Sequence, residues 1–459
     1  MELRTYQTED VQTILSLQMV AGIFSEQRTG KTPTVLGAIN QSPTTKTILV
    51  VCPNTLKYNW QKETDTWCPT LTSQVITKWE KPEKDIIIIN YEKLSLNTSQ
   101  AKQMRKWLSK RKFDCIILDE AHRIKNRKAS VSKNILALSK DIPQRLALTG
   151  TPAHNAPWEL YNIIHFLKPQ QYKSYWKWLD QWFEFYNKWT PNGTVKEPKR
   201  IKPSLRTAFS KELSTFCIQR KRKDVMDWNT NDDIIDIPLP LNSQQKKYIK
   251  DIEMYFNTAD TDTEVESSSV LDSLIKVRQI CNTPEVLGLK GKSPKFEWIK
   301  QYIKDNPEHS IIIFSNQVKS LLILNKLIPN SQIIYGKVKP RDRQVIVQNF
   351  QAKKFKVILC QTQACKEGLT LDVADVTIFL DIYPPAADYL QAKDRAVATS
   401  AERAHTNVVY RLMMKDSFDE VMYKLVDTNI RTSDVVNNFK NYIGGKHGIQ
   451  NNAKKTEKS

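Results

Sequence analysis

The sequence predicts an α/β protein with two tandem lobes, each built on a parallel sheet flanked by helices. Four short apolar runs between residues 47 and 150 are separated by polar stretches long enough for a helix: TILVVC, DIIIIN, CIILDE and RLALTG. Such spacing is typical of buried parallel strands. The same rhythm returns between residues 310 and 381 in SIIIFS, SQIIY, KVILCQ and VTIFLD. A chain of 459 residues also exceeds one ordinary hydrophobic core, so two lobes are expected.

The first lobe begins with a strand, a loop and a helix in the order that phosphate binding requires. The predicted strand VAGIF (20–24) leads into the loop SEQRTGKT (25–32), and the helical segment TPTVLGAIN follows. The loop ends as the common pattern GxxxxGK[ST] does, but Ser25 stands where that pattern has its first glycine. This order of elements predicts a nucleotide-binding loop.

Within this loop each residue type has an expected task. Backbone N–H groups and the helix N-terminus face the phosphates in such loops, and Gly30 keeps the backbone close to the anion. Lys31 is expected to reach the β and γ phosphates, and the Thr32 hydroxyl is expected to bind Mg²⁺. Arg28 is an unusual choice within the turn.

A pair of carboxylates follows a buried strand in CIILDEAHRIKN. Asp119 and Glu120 should emerge at the carboxyl end of that strand, where open α/β sheets bind ligands. Asp119 is expected to hold Mg²⁺, directly or through water, and Glu120 to orient and deprotonate the attacking water.

Residues 156–295 have helical spacing and are expected to be helical outgrowth from the lobes. In the aromatic block 172–189, the spacing of Tyr175, Trp178, Trp182 and Phe185 predicts a helix packed on the first lobe, the alternative being a platform on which bases stack. The polar stretch 257–269 is expected to be a mobile loop. The expected domains are 1–235, 236–443 and a disordered basic tail, 444–459.

The charge balance favours a polyanionic partner. Lys and Arg exceed Asp and Glu by 69 to 49, a formal net charge of +20, which points to nucleic acid, with solubility as the alternative. No apolar run approaches the ~18 residues of a membrane span, and the N-terminus lacks the order of a signal peptide. The seven cysteines form no CxxC pair, so we expect neither disulfides nor zinc, in an intracellular protein.

Several segments together resemble a known family. DEAH followed by RIKN, and then LTGTPAHN (148–155), resemble motifs II and III of the Swi/Snf-type translocases, a branch of the superfamily-two helicase-like ATPases. Further segments resemble that family in its order: LRTYQ, ILVVCPNTLKYNWQKE, SIIIFSNQ, ACKEGLTLDVADVTIFLD and QAKDRA. The resemblance covers about residues 1 to 430.

The resemblance implies two RecA-like lobes with ATP bound between them. Gln7 would read adenine, while His122, Thr149 and Thr151 would couple the phosphate state to lobe movement. The residues that the resemblance assigns to ATP, its hydrolysis and Mg²⁺ are Gln7, Arg28, Thr29, Gly30, Lys31, Thr32, Asp119, Glu120, Glu367, Gly368, Arg395 and Arg403.

The resemblance also implies a nucleic-acid surface across both lobes. Contacts to the sugar-phosphate backbone suit a translocase because they carry no sequence information. For each candidate the alternative is an ordinary solvated loop residue. By motif position the candidates are Pro53, Asn54, Lys57, Asn90, Tyr91, Thr151, Ser315, Asn316, Lys337, Arg341, Thr362 and Lys366.

Two motifs depart from the family pattern. Ala398 stands at the second arginine of Q-A-x-D-R-A-H-R, and an arginine finger is worth roughly 10³ to 10⁵ in rate. We expect Arg395 to keep its family role and the displaced Arg403 to serve as the finger, the alternative being that Arg403 is a surface residue. Cys365 and Lys366 also replace two glycines that are common in the family.

These observations predict a DNA-dependent ATPase that translocates on duplex rather than single-stranded DNA, in replication, recombination, repair or protein displacement. One alternative is a nucleic-acid-binding protein that ATP switches with little turnover, which Ala398 and Arg28 favour. Another is a strand-separating helicase, although no separation pin is readable from the sequence. We expect a monomer in the cytoplasm of a prokaryote or a virus-infected host; its protein partners are not predicted.

Overall fold

A computed structural model describes most of the chain in two compact units. The described residues are 2–78, 81–153, 156–190, 193–226, 233–258, 267–365, 369–383, 386–396 and 407–427. The first unit comprises residues 1–226 and the second residues 227–459, and we call them the first and second lobe.

The first lobe is built on a seven-stranded sheet in which every pairing is parallel, as predicted. The spatial order of its strands is β3-β4-β2-β5-β6-β1-β9. Their bounds are β1 Val20–Ile23, β2 Ile48–Cys52, β3 Ser73–Val75, β4 Ile86–Asn90, β5 Cys115–Asp119, β6 Gln144–Leu148 and β9 Cys217–Ile218.

Helices cover both faces of this sheet, which explains why its strands read as continuous apolar runs. In β2, Leu49 and Val51 pack into one hydrophobic cluster, whereas Ile48 and Val50 pack into another. The helices of this lobe are α1 Thr5–Ser16, α2 Lys31–Gln41, α3 Lys57–Trp67, α4 Tyr91–Ser95, α5 Ser99–Lys110, α6 Ser130–Leu138, α7 Tyr161–Leu167, α8 Tyr175–Trp182, α9 Arg206–Ser214 and α10 Arg222–Val225.

The prediction of a continuous helix through the aromatic block is wrong. Helix α8 ends at Trp182, and an antiparallel hairpin follows, formed by β7 (Phe183–Thr190) and β8 (Gly193–Ile201). FEFYNKWT is rich in aromatic residues, which favours a strand, and the Asn-Gly dipeptide at 192–193 is a hairpin signal. Phe185 therefore belongs to a strand, while Trp178 and Trp182 pack into the core as predicted.

The second lobe is built on a six-stranded sheet, again with parallel pairings throughout. The spatial order is β10-β15-β14-β11-β13-β12. The strands are β10 Asp233–Leu239, β11 Ile311–Ser315, β12 Gln332–Ile334, β13 Val357–Gln361, β14 Val376–Phe379 and β15 Val408–Met414. The two parallel sheets confirm the predicted α/β fold class.

Helices cover the second sheet as they do the first. Alternate residues of β11 again divide between two clusters, with Ile312 and Phe314 on one face and Ile311 and Ile313 on the other. The helices are α11 Ser243–Thr258, α12 Ser267–Asn282, α13 Pro294–Asp305, α14 Val318–Leu327, α15 Pro340–Gln351, α16 Thr362–Cys365, α17 Ala386–Lys393 and α18 Phe418–Asp427.

Two predicted segments fall wholly or partly outside the described residues. The predicted loop 257–269 is described only where it belongs to α11 and α12, and the predicted tail from residue 444 is not described at all. Among the residues that are described, no helix is both long enough and apolar enough to cross a bilayer.

Candidate functional site

The loop between β1 and α2 has the backbone that phosphate binding requires. Gly30 precedes α2 with φ of +73°, a conformation that favours glycine, and a Cβ there would also displace the Gln7 amide, whose Nε2 would lie 2.1 Å away. Arg28 also has a positive φ, +69°, a conformation that is strained for a residue with a side chain. The loop therefore brings its backbone close to whatever lies at the N-terminus of α2.

The Lys31 ammonium lies over this loop. Its Nζ donates hydrogen bonds to the backbone oxygens of Ser25 at 3.0 Å and Glu26 at 3.1 Å. Thr32 follows in the first turn of α2 and is partly exposed. Lysine and hydroxyl thus lie at the same end of the helix, as the sequence predicted.

The serine that replaces the first glycine has a structural role. Ser25 Oγ accepts a hydrogen bond from the Arg220 backbone N–H at 3.1 Å, and Glu26 N–H donates to the Arg220 carbonyl at 2.9 Å. The Arg220 guanidinium donates to buried Asp10 at 2.7 Å and to Glu9 at 3.1 Å. Arg220 therefore joins the loop to α1 within the first lobe.

Gln7 packs against the same loop. Its Oε1 accepts from the Arg4 backbone N–H at 2.9 Å, and its Nε2 lies 3.4 Å and 3.5 Å from the carbonyl oxygens of Thr29 and Gly30. The last two contacts are at the long limit of a hydrogen bond, so the amide group is only weakly engaged there.

Asp119 is fixed from both sides at the end of β5. Its Oδ2 accepts from Trp60 Nε1 at 2.8 Å, and its Oδ1 accepts from the Glu120 backbone N–H at 2.9 Å. The Tyr91 hydroxyl donates to the Asp119 carbonyl at 2.7 Å, and the Tyr91 side chain is 3% exposed. Tyr91 thus supports Asp119 and offers no surface to nucleic acid, which corrects the sequence prediction for this residue.

The two neighbouring carboxyls have opposite pKa shifts. Burial raises the pKa of Asp119 to about 6, the Glu120 carboxylate adds to that shift, and Trp60 and Lys31 oppose it. Burial also acts to raise the pKa of Glu120, but contact with His122 and the charge of Lys31 bring it down to about 2. Glu120 is therefore a hydrogen-bond acceptor at neutral pH, as a water-orienting residue must be.

A chain of polar contacts runs from Glu120 along the edge of the sheet. Glu120 Oε2 lies 3.3 Å from His122 Nδ1, which lies 3.1 Å from Thr149 Oγ1 at the end of β6. Thr149 Oγ1 accepts from the Thr151 backbone N–H at 3.2 Å. The Thr151 hydroxyl is buried and has no hydrogen-bond partner among the described residues. The predicted coupling residues are thus in contact with the predicted base.

The residues at this site fit Mg²⁺ by the chemistry of their donors. Mg²⁺ prefers oxygen ligands and is usually held by one or two carboxylates while it keeps several waters. Each Asp119 oxygen accepts one hydrogen bond in this structure, so lone pairs remain for a cation or its waters. A divalent cation would also favour the ionised form of a carboxyl that burial otherwise disfavours.

The predicted nucleic-acid residues of the first lobe follow the ends of β2 and β4, which are neighbours in the sheet. Asn54 is exposed, whereas Pro53 and Lys57 are buried, and burial lowers the pKa of Lys57 with a contribution from Lys93. Asn90 is buried, its Nδ2 donates to a glutamate, and its Oδ1 lacks a partner among the described residues. Asn90 Oδ1 is therefore an acceptor available to a ligand.

In the second lobe a buried aspartate organises the corresponding edge. Asp381 Oδ1 accepts from the backbone N–H and Nδ2 of Asn316, both at 2.9 Å, and its Oδ2 accepts from Asn282 Nδ2 at 2.6 Å. Ser315 is fully buried and its hydroxyl donates to Asp381, so the prediction that its side chain contacts nucleic acid is wrong.

The remaining candidates of the second lobe differ in exposure. Thr362 follows β13, is buried, and has a hydroxyl without a partner among the described residues. Lys337 and Arg341 are exposed. Arg395 is buried, and its guanidinium donates to the carbonyl oxygens of Gln391 and Leu369.

Two residues that matter to this geometry were missed from the sequence. They are Trp60 and Asp381. Asp381 follows the apolar run of β14 just as Asp119 completes that of β5, so the same pattern could have identified it. Nothing local marks Trp60, because its partner is distant in the chain.

The family follows from a match over most of the chain. The SNF2-related domain matches residues 6–286, and the helicase conserved C-terminal domain matches residues 294–398. The chain belongs to the SNF2-related family. The predicted Swi/Snf resemblance is thereby confirmed.

This SNF2-related chain is similar to longer proteins. It is 25% identical to the ISWI chromatin-remodeling complex ATPase ISW1 of Saccharomyces cerevisiae over 95% of this chain and 40% of that protein. It is 24% identical to Chromodomain-helicase-DNA-binding protein 1-like of Danio rerio over 84% of this chain and 38% of that protein. A solved structure titled Sulfolobus solfataricus SWI2/SNF2 ATPase core in complex with dsDNA has a TM-score of 0.44 and 22% identity, and covers 93% of this chain and 91% of that chain. The chain spans less than half the length of these two curated relatives.

Several predicted residues of this SNF2-related chain lie outside the described part. They include the motif V residues Lys366, Glu367 and Gly368 and the motif VI residues Ala398 and Arg403. The roles expected of them remain predictions.

Proposed function

We propose that this SNF2-related chain is a DNA-dependent ATPase that couples ATP hydrolysis to translocation along duplex DNA. The supporting observation is the chain of contacts from Glu120 through His122 and Thr149 to Thr151. It joins the candidate base for hydrolysis to a buried hydroxyl with no partner among the described residues. The names of two relatives, one an ATPase and one DNA-binding, support the same assignment.

The residues of the first lobe divide the work of hydrolysis. Lys31 and the N-terminus of α2 bind the phosphates, and Gly30 lets the backbone approach them. Glu120 orients the attacking water as a hydrogen-bond acceptor, for which its low pKa keeps it ionised, and it is the candidate acceptor of the water's proton. Thr32 and Asp119 would hold Mg²⁺, which, when bound, neutralises charge on the phosphate oxygens.

The same contacts give a route for coupling. Any shift of Glu120 on hydrolysis changes its contact with His122, and the 3.1 Å contact to Thr149 passes that change to the backbone of Thr151. A phosphate oxygen of the DNA backbone is a suitable acceptor for the Thr151 hydroxyl. Hydrolysis and grip on DNA are thereby connected through four neighbouring residues.

Polar groups at the sheet edges of both lobes supply the DNA contacts. Thr362 Oγ1 is buried without a described partner, as Thr151 Oγ1 is, and both hydroxyls can donate to phosphate oxygens. Asn54, Lys337 and Arg341 are exposed and available to the backbone as well. None of these contacts requires a particular base, which suits movement along DNA.

Steady-state ATP hydrolysis tests this function directly. It is measured without DNA, with single-stranded DNA and with duplex DNA, and we expect the strongest stimulation from duplex. Lys31→Ala should abolish the stimulated rate, while Lys133→Ala, which removes an exposed lysine from α6, should leave it unchanged. Arg403→Ala should lower the rate if that residue serves as the finger.

Two outcomes would contradict the proposal. ATP binding without DNA-stimulated turnover would favour an ATP-switched nucleic-acid-binding protein. An equal rate of ATP hydrolysis with and without DNA would show that the activity does not depend on nucleic acid. The Glu120→Gln variant is the control for ATP binding without turnover, because it should bind ATP and fail to hydrolyse it.

A further inference from the structure

The hairpin β7–β8 presents an uncovered aromatic side chain on a rigid base. It forms a two-stranded sheet of its own, separate from the seven-stranded sheet. At its base Phe183 is fully buried, with its ring centroid 5.1 Å from that of Trp178 and 6.1 Å from that of Phe209. Lys202 N–H closes the base by donating to the Trp182 carbonyl at 2.9 Å.

The far end of the hairpin is exposed. Trp189 is 77% exposed and pairs with Thr194, one residue pair before the described strands end at Thr190 and Gly193. A tryptophan exposed to this degree leaves most of its apolar ring in water, an unfavourable arrangement that a binding partner relieves. Because the base is packed and the end is bare, the hairpin holds the indole away from the lobe core.

The charge around Trp189 favours a polyanion. Residues 183–201 contain four basic and two acidic residues. Both acidic residues are paired within the hairpin, Glu197 with Lys188 at 3.2 Å and Glu184 with Arg200 at 2.6 Å. The net charge of residues 183–201 is therefore +2, carried by the lysines at positions 196 and 199, of which Lys196 also forms a long, exposed ion pair with Asp180 of α8 at 3.8 Å.

One of these lysines shares a face with Trp189. Successive side chains alternate between faces of a strand, so Phe185 and Trp189 lie on one face, and Lys196 lies on that face of β8. The Lys196 ammonium is 4.3 Å from the Phe185 ring centroid and 3.8 Å from Asp180. The Lys196 ammonium thus lies beside Phe185 on the face of the hairpin that also carries Trp189, and an aromatic ring with a cation on the same face is the combination that binds a base together with its phosphate.

We propose that Trp189 stacks on an unpaired base of DNA, so that the hairpin recognises the junction between duplex and single strand. Within a duplex each base is already stacked on both faces, whereas an unpaired base leaves a face free for the indole. This inference rests on the proposed DNA-dependent function and adds a substrate feature to it.

Binding of the full chain to two DNAs tests the proposal. One is a fork with single-stranded tails, and the other is a closed duplex circle that has neither ends nor unpaired bases. Stacking of one base corresponds to about a 5- to 100-fold change in affinity, so Trp189→Ala should weaken fork binding by that factor. Its binding to the circle, and the hydrolysis that the circle stimulates, should stay at the wild-type level.

Two control variants test whether the lost aromatic ring causes the loss of fork affinity. Trp189→Phe keeps an aromatic ring and should retain most of the fork affinity. Trp176→Ala removes another exposed tryptophan, 55% exposed on α8 outside the hairpin, and should not change fork binding. Loss with Trp189→Ala alone supports base stacking.

Other results would overturn the inference. Wild-type fork affinity in Trp189→Ala would show that the indole does not bind DNA and would leave this surface to a protein partner. If Trp189→Ala lost equal affinity for the fork and for the circle, the indole would have no preference for junctions. Both results leave circle-stimulated hydrolysis by the wild-type chain intact, whereas absence of that hydrolysis would refute the proposed function itself.

Discussion

Trp60 holds the carboxylate that we propose as an Mg²⁺ ligand, and its removal tests that arrangement. Its Nε1 donates to Asp119 Oδ2 at 2.8 Å, and the indole is 1% exposed. In a variant that lacks this N–H group, water therefore cannot take its place as the donor to Asp119 Oδ2. Trp60→Phe keeps an aromatic ring in the core and removes the N–H group.

The size of the effect follows from the contact that is lost. A hydrogen bond to a charged group contributes roughly 1.5–3 kcal/mol, which corresponds to roughly a 10- to 150-fold change in an equilibrium constant. Groups that orient a metal ligand typically change metal affinity or activity by about 10- to 100-fold when they are removed. We therefore expect Trp60→Phe to raise the Mg²⁺ concentration for half-maximal ATP hydrolysis by about 10- to 100-fold.

A tryptophan on the same helix provides the matched control. Trp67 Nε1 donates to Glu63 Oε2 at 3.1 Å, and neither residue belongs to the proposed site. Trp67→Phe should leave the Mg²⁺ dependence unchanged, and unfolding midpoints of both variants separate local effects from loss of fold. An unchanged Mg²⁺ dependence and rate in Trp60→Phe would refute the reasoning.

Three further substitutions test two ion pairs and the loop before α2. Arg220→Met removes the guanidinium that lies 2.7 Å from the buried Asp10 carboxylate. Since Arg220 is partly exposed, we expect the free energy of unfolding to fall by about 1–3 kcal/mol. An unchanged denaturation midpoint would contradict this. Lys295→Met removes a buried ammonium that lies 2.6 Å from Asp419, so the free energy of unfolding measured by chemical denaturation should fall by about 3–5 kcal/mol. Adding Asp419→Leu should restore part of this loss. If it restores none, the result would argue against the ion pair. Gly30→Ala places a side chain at φ of +73°, so strain of about 1–3 kcal/mol should weaken ATP binding by roughly 5- to 150-fold in calorimetry, and an unchanged Kd would exclude this loop from the site.

The sequence predicted those parts of the fold and site that depend on local pattern. Buried parallel strands read as apolar runs, and their carboxyl ends share one edge of the sheet, so Asp119 and Thr149 could be assigned to the same edge before the structure was known. The loop glycine could be predicted as well, because its conformation follows from the turn before α2.

The parts that were not predicted depend on residues distant in the chain. Arg220 contacts Asp10 across 210 residues, and Trp60 contacts Asp119 across 59, so neither contact has a local signal. The edge strand β10 was missed because its residues are mostly exposed, and an ion pair between Asp236 and Arg411 at 2.5 Å joins its middle to β15. The hairpin was missed because the helical spacing of Tyr175, Trp178 and Trp182 in α8 continues to Phe185, which belongs to β7.

Displacement of a third strand from a duplex tests most directly whether hydrolysis drives movement along DNA. The wild-type chain should displace a triplex-forming strand only with ATP, at a rate that rises with ATP turnover. Glu120→Gln should bind ATP and DNA and displace nothing. Duplex-stimulated hydrolysis by the wild-type chain with no displacement of the third strand would contradict translocation.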